Sequence, residues 1–238
     1  MFYVNEDCLL RMVSLESSAT LQPPKPRRSN ETRSAEMRAA LIEAAIQSLC
    51  EVGYSKTTTH EICRRARATS GAIQHHFGSK DELILATLDC LRLEMQDRFD
   101  RLNELGGPLH ARCEAMVREM WHTFYGRKRY MAVWEIAIGS RGEQRFYNRV
   151  LEQRRNTLRF IEPIWRKTLG ILDSGPREHL DAMHVVLSFL RGLVLYTEIE
   201  ADEAFIEAQL AIMTSALIEI LGARRNKVGR SRTKRGRK

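Results

Sequence analysis

Proline is scarce, with six residues in 238, and no stretch shows the sustained apolar/polar alternation of strands, so little of the chain reads as β-structure. No run reaches the roughly 18 consecutive apolar residues of a membrane span. The opening MFYVNEDCLLRM puts acids where a signal peptide needs cations. Both observations favour a cytoplasmic protein with no membrane association. Cys8, Cys50, Cys63, Cys90 and Cys113 form an odd set without a CxxC pair, which argues against a disulfide framework and predicts buried, reduced thiols. Gly-rich phosphate loops, nucleophile elbows and Cys/His zinc spacings are also missing, so no catalytic residue, cofactor or metal is expected.

What is present suits a helical globular chain. The sequence is 43% hydrophobic and 29% charged, enough to bury a small domain and a larger one. The net charge of +8 is local: residues 223–238 carry nine Lys or Arg and no acid, which leaves 29 basic against 30 acidic residues elsewhere. That segment reads as a disordered basic tail, either solubilising or a non-specific DNA arm. Residues 1–33 read as a disordered extension whose Lys25, Arg27, Arg28 and Arg33 could reach a minor groove.

The most informative stretch is TTTHEICRRARATSGAIQHHFGSKDEL, residues 57–83. Thr58 with Glu61 and Ser79 with Glu82 are capping-box pairs, each starting a helix. Between them Thr69 or Ser70 can cap a middle helix in which Ile73 and Phe77 share one face. Upstream, Met37, Leu41, Ala44, Ala45, Ser48, Leu49 and Val52 stripe a first helix that Gly53 ends. Two short helices joined by a tight turn behind a supporting helix predict a helix-turn-helix over residues 34–80, with double-stranded DNA as partner.

The runs GYSKTTTHEI and ATSGAIQHHFGSKDEL resemble the amino-terminal DNA-binding domain of the TetR family of bacterial transcription regulators, over about residues 36–88. The resemblance implies an all-α fold, a three-helix reading domain followed by a larger ligand-binding and dimerisation domain over residues 81–222. It also implies a homodimer on an inverted-repeat operator, most simply a repressor released by a small-molecule effector. Two positions depart from the family pattern. Arg67 stands where the turn usually has Gly, and must accept a left-handed backbone at a cost of about 1 kcal/mol. Gln74 stands where Tyr is usual, an amide able to read adenine or a phosphate. The DNA-binding set is Thr58, Arg67, Thr69, Ser70, Gly71, Ala72, Gln74, His75, His76 and Lys80. Of these, Thr58, His76 and Lys80 are assigned to phosphates. A relative with degenerate DNA recognition at Arg67 is the alternative.

Downstream, Ile84, Leu88, Leu91 and Met95 stripe a helix from Lys80, read as the sole covalent link between domains. Residues 143–172 read as a long helix kinked at Pro163. The last two helices are apolar on more than one face, which predicts a four-helix dimer interface through Leu187, Leu190, Val194, Leu210, Met213 and Leu217. Met120, Trp121, Tyr125, Trp134 and Trp165 form the densest aromatic and Met group, a candidate pocket for an apolar or aromatic effector. Glu119/His122 and Asp181/His184 have the carboxylate-x-x-His spacing of metal-bundle enzymes, but lack the further converging carboxylates those need.

Overall fold

A computed structural model describes residues 30–102, 106–170, 176–197, 199 and 202–235. Among them every regular element is helical. They are α1 (Asn30–Lys56), α2 (Thr59–Ala66), α3 (Ser70–Phe77), α4 (Lys80–Leu102), α5 (Leu109–Met120), α6 (Met131–Gly139), α7 (Gln144–Leu169), α8 (Pro176–Thr197) and α9 (Glu203–Arg235). A π-helical turn, Trp121–Tyr125, follows α5, and 3-10 turns span Lys128–Tyr130 and Ser140–Gly142.

The chain forms two compact units, one of residues up to Glu94 plus Ala132–Gln153, the other of Met95–Met131 plus Arg154 onward. This differs from the sequence expectation, which assigned residues 81–222 to the second domain. The chain passes between units within α4, at the start of α6 and within α7, so the helix from Lys80 is not the sole covalent link.

In the first unit, α1 starts at Asn30 with Glu31 favourably placed in its first turn. Its helical geometry breaks at Gly53, whose φ of 78° is open to glycine. Leu41, Ala44, Ala45, Ile62, Cys63, Ile73 and Leu83 close into one buried core over α1–α4, with Met37, Ala72 and Phe77 packed against it. The apolar stripe predicted for the first helix is thus a core face. Arg67, with φ 51° and ψ 41°, is the only non-glycine residue of positive φ among the described residues. The Ala68 amide donates to the Cys63 carbonyl at 2.9 Å, closing the turn in the way a glycine usually does. Arg67→Gly is therefore expected to raise the unfolding free energy by about 0.5–1 kcal/mol. A denaturant melt checks this, and a loss of stability would mean that the exposed Arg67 side chain contributes more than its backbone strain costs.

In the second unit, α5 packs on α9, α9 on α8, and α8 on the π turn. Cys113, Met116, Met120, Trp165, Leu169, Leu187, Leu190, Leu210 and Leu217 are buried there. Arg118 pairs with Glu207, and with Glu114 at 3.1 Å. Pro163 lies within α7 without ending it, on an exposed position. The last helix runs on to Arg235, through most of the segment read as a disordered tail. Arg and Lys propagate a helix well, so a stable apolar segment upstream can carry it on. Residues 1–29, including Cys8 and the basic arm to Arg28, lie outside the described residues. Of the other thiols, Cys63 and Cys113 are buried, whereas Cys50 and Cys90 are only partly so.

One stretch of α9, Glu203–Gly222, meets the length and mean hydropathy of a membrane span. The rule of consecutive apolar residues passes over it because Glu203, Glu207 and Glu219 interrupt the run.

Candidate nucleic-acid interface

The second helix is held by its cap and a web of charge. The Thr58 hydroxyl accepts from the Glu61 amide at 3.1 Å, but the return arm of the capping box is not made. The Glu61 carboxylate instead accepts from Arg64 at 2.7 and 2.9 Å and from Arg65 at 2.6 Å. The Thr58 amide turns to the Lys56 carbonyl at 2.9 Å. Hydrogen bonds from Arg64 and then Arg65 hold the Glu61 carboxyl down at about 2. Arg65 also reaches Glu51 at 2.7 Å, tying α2 back to α1.

Ser79 and Glu82 behave the same way. The Glu82 amide donates to the Ser79 hydroxyl at 3.2 Å, while the carboxylate takes both arms of Arg149 at 2.6 and 2.9 Å. That fork lowers the Glu82 pKa and joins the start of α4 to α7 within one unit. A second tie involves the corner that ends α1. The Tyr54 amide donates to Glu135 at 2.8 Å, and Gly139 lies so close to Tyr54 that an added Cβ would meet its ring and Cβ at 2.4–2.6 Å. Burial first, then Glu143 and Asp81, push the Tyr54 hydroxyl up to about 12, and the Lys80 ammonium sits 5.0 Å over its ring. Gly139 and Arg149 were invisible as site residues in the sequence because their partners are far away along it, and Glu135, read beside the aromatic group, caps the Tyr54 amide instead.

Within α3, Ile73 alone is fully buried. Thr69 takes the cap position with an extended backbone but makes no side-chain cap bond. Thr69, Ser70, Gly71, Gln74 and His75 are exposed together with Arg67, and Ala72 is half-buried. Thr58, Lys80 and His76 are less free. The Thr58 oxygen is engaged in its cap, and Lys80 lies over Tyr54. His76 is partly buried, and burial, then His75 and Arg38, lower its pKa and keep it neutral at pH 7. Arg38 was not singled out by the sequence, yet it donates to the His76 carbonyl at 2.9 Å and lies 4.3 Å over the Phe77 ring. It pins the end of α3 from α1.

The remaining candidates separate. Met120, Trp121, Tyr125 and Trp165 are buried in the second unit, whereas Trp134, half-buried, belongs to the first. Leu187, Leu190, Val194, Leu210, Met213 and Leu217 are all buried within their own chain. The exposed apolar positions of the same region are Val185, Leu195, Tyr196, Ile199, Phe205 and Ile212, with the Tyr196 and Phe205 rings stacked at 5.4 Å. A pattern apolar all round cannot say which side its own chain covers. Among the described residues no three His, Cys, Asp or Glu side chains gather as metal ligands. His122 instead faces Glu207 at 3.3 Å.

A buried anchor, a tight left-handed turn and a short helix showing unpaired polar side chains define a helix-turn-helix domain. Residues 41–87 match the model of the bacterial regulatory proteins of the tetR family. An HTH-type transcriptional repressor of Mycobacterium tuberculosis is 36% identical over 129 residues, covering 54% of this chain and 63% of that one. The HTH-type regulator TtgR of Pseudomonas putida is 41% identical over 77 residues, 32% of this chain and 36% of its own. Its fold is shared with a transcriptional regulator from Rhodococcus, at a TM-score of 0.64 and 22% identity over 76% of this chain and 96% of that one. The fold is also that of FadR from Bacillus subtilis, at 0.56 and 15% over 76% and 96%. Residues 41–87 thus carry the DNA-binding domain of the TetR family. The curated relatives carrying these matches are named as transcriptional regulators, a class without enzymatic activity. The chain spans just under two thirds of the length of the mycobacterial relatives it matches.

Proposed function

We propose that this protein is a cytoplasmic, dimeric transcriptional repressor that binds an inverted-repeat operator through α3 and leaves it when a small molecule binds the second unit. The observation that carries the DNA-binding part is the exposed row Thr69, Ser70, Gly71, Gln74 and His75 on a helix anchored by Ile73 and Arg38. The Gln74 amide makes no hydrogen bond to any described residue and is free to read an adenine edge. The closed geometry at Arg67 favours an intact turn over a degenerate one.

The dimer reading rests on Leu195, Tyr196, Phe205 and Ile212, exposed apolar residues that a second copy of the chain would cover. It also accounts for the apolar composition of Glu203–Gly222 without a membrane. An effector with an apolar or aromatic body fits the Met and aromatic content of the second unit. A structural relative was crystallised with stearoyl-CoA.

The test is selection of bound duplexes from a random pool. The expected product is an inverted repeat with half-sites one or more helical turns apart, and Gln74→Ala should change the preferred base or cost about 1–3 kcal/mol. Selection without enrichment, or an unchanged preference in the variant, would refute the placement of α3 in the groove.

A further inference from the structure

We infer that the adjacent imidazoles His75 and His76 link operator binding to protons: α3 takes up protons as it meets the phosphate backbone, so the protein holds DNA more tightly as the medium turns acid. The inference rests on the DNA-binding reading of α3 and adds to it a control that needs no small molecule in the second unit.

The pair sits at the end of the helix proposed to enter the groove. Histidine is the side chain whose charge ordinarily changes near neutral pH, and two in succession lie on the last turn of α3. Their rings are 4.7 Å apart and nearly perpendicular, at 86°. His75 is exposed and His76 half-buried. The backbone that carries them is fixed, because the His76 carbonyl accepts from Arg38 at 2.9 Å and Arg38 lies 4.3 Å over the neighbouring Phe77 ring.

What surrounds the pair is basic. Burial, then His75, then Arg38 of α1 all disfavour the cation of His76, which is why that ring is neutral at pH 7 in the free protein. The second helix, also packed on α3, brings no free acid: Glu61 is held by Arg64 and Arg65, and the turn between the two helices exposes Arg67. Two imidazolium groups side by side need a counter-charge that this setting lacks. Duplex DNA supplies it, at one negative charge per about 1.7 Å of its axis. Towards phosphate oxygens, or the O6 and N7 acceptors of guanine, a protonated imidazole donates from both nitrogens where the neutral ring donates from one. The DNA-bound protein therefore carries more protons than the free protein. By linkage, affinity rises as pH falls through the bound state's titration and levels off below that of the free protein, a window around the ordinary histidine value of about 6.5.

The test uses the full chain and a rhodamine-labelled duplex enriched by selection, with anisotropy titrations at pH 6, 7 and 8 at constant ionic strength. Affinity is expected to rise about 5-fold or more from pH 8 to pH 6. Calorimetry at pH 6.5 in two buffers of different ionisation enthalpy should count about half a proton taken up per subunit. Salt should weaken binding more steeply at pH 6 than at pH 8, because each added cation displaces a further counterion. Replacing both rings, His75→Gln together with His76→Gln, should flatten the pH dependence to within about 2-fold. Should that variant unfold, His75→Gln alone, at an exposed position, should still lower the proton count. Equal affinity at pH 6 and pH 8, no proton uptake, or an undiminished pH dependence in the variants would overturn the link. Enriched duplexes held equally at all three pH values sink the link alone, whereas selection without enrichment even at pH 6 sinks the DNA-binding reading and the link with it.

Discussion

Ile73→Ala is expected to cost about 2–5 kcal/mol and to abolish operator binding, although the side chain touches no DNA. Ile73 is 2% exposed and is the one fully buried residue of an eight-residue helix, so its packing against Leu41, Ile62 and Leu83 is what fixes the orientation of Gln74 and His75. Ile73→Val, which removes one methyl group, should cost only about 0.5–1.5 kcal/mol and retain binding. Calorimetric melts with gel shifts on both variants check the pair. Full operator affinity in a folded Ile73→Ala protein would show that α3 is held from elsewhere.

The second large effect is expected at Gly139. An added methyl group would meet the Tyr54 Cβ at 2.4 Å, closer than atoms can come, and neither α6 nor the Gly53 corner can yield without loosening the Glu135 bond to the Tyr54 amide. Gly139→Ala should therefore destabilise the protein by about 1–3 kcal/mol through overpacking. Gly142, three residues on, has nothing within 4 Å of an added Cβ, so Gly142→Ala should stay within about 0.5 kcal/mol of the parent. Equal melting temperatures for the two variants would refute the close packing of α6 on the α1 corner. A shift at Gly139 alone would also tie residues 132–153 energetically to the reading unit.

The apolar excess of α8 and α9 was legible in the sequence, but not which of its residues the chain itself buries; the dimer is our proposal for what covers the rest. Leu187, Leu190, Val194, Leu210, Met213 and Leu217 are nevertheless the positions the chain itself buries, and Val185, Leu195, Tyr196, Phe205 and Ile212 are those it leaves exposed. A charged substitution at Leu187 or Leu217 would thus unfold the subunit, whereas Ile212 is where the same change can test association.

Local signals determined the helix-turn-helix. The Thr58 and Ser79 caps, the stop at Gly53, the left-handed Arg67 and the shared face of Ile73 and Phe77 each depend on residues within about one helical turn, so the order of residues alone specifies them. Glu61 is taken by Arg64 and Arg65 one turn on, again a local contact, because a guanidinium outcompetes a backbone amide for a carboxylate. Only the tertiary structure decided that the Glu82 carboxylate goes to Arg149, sixty-seven residues away. It likewise decided that residues 132–153 pack with the reading head and that Arg38 holds the end of α3. Those contacts join segments far apart in the chain, and periodicity and capping carry no information beyond the helix in which they occur.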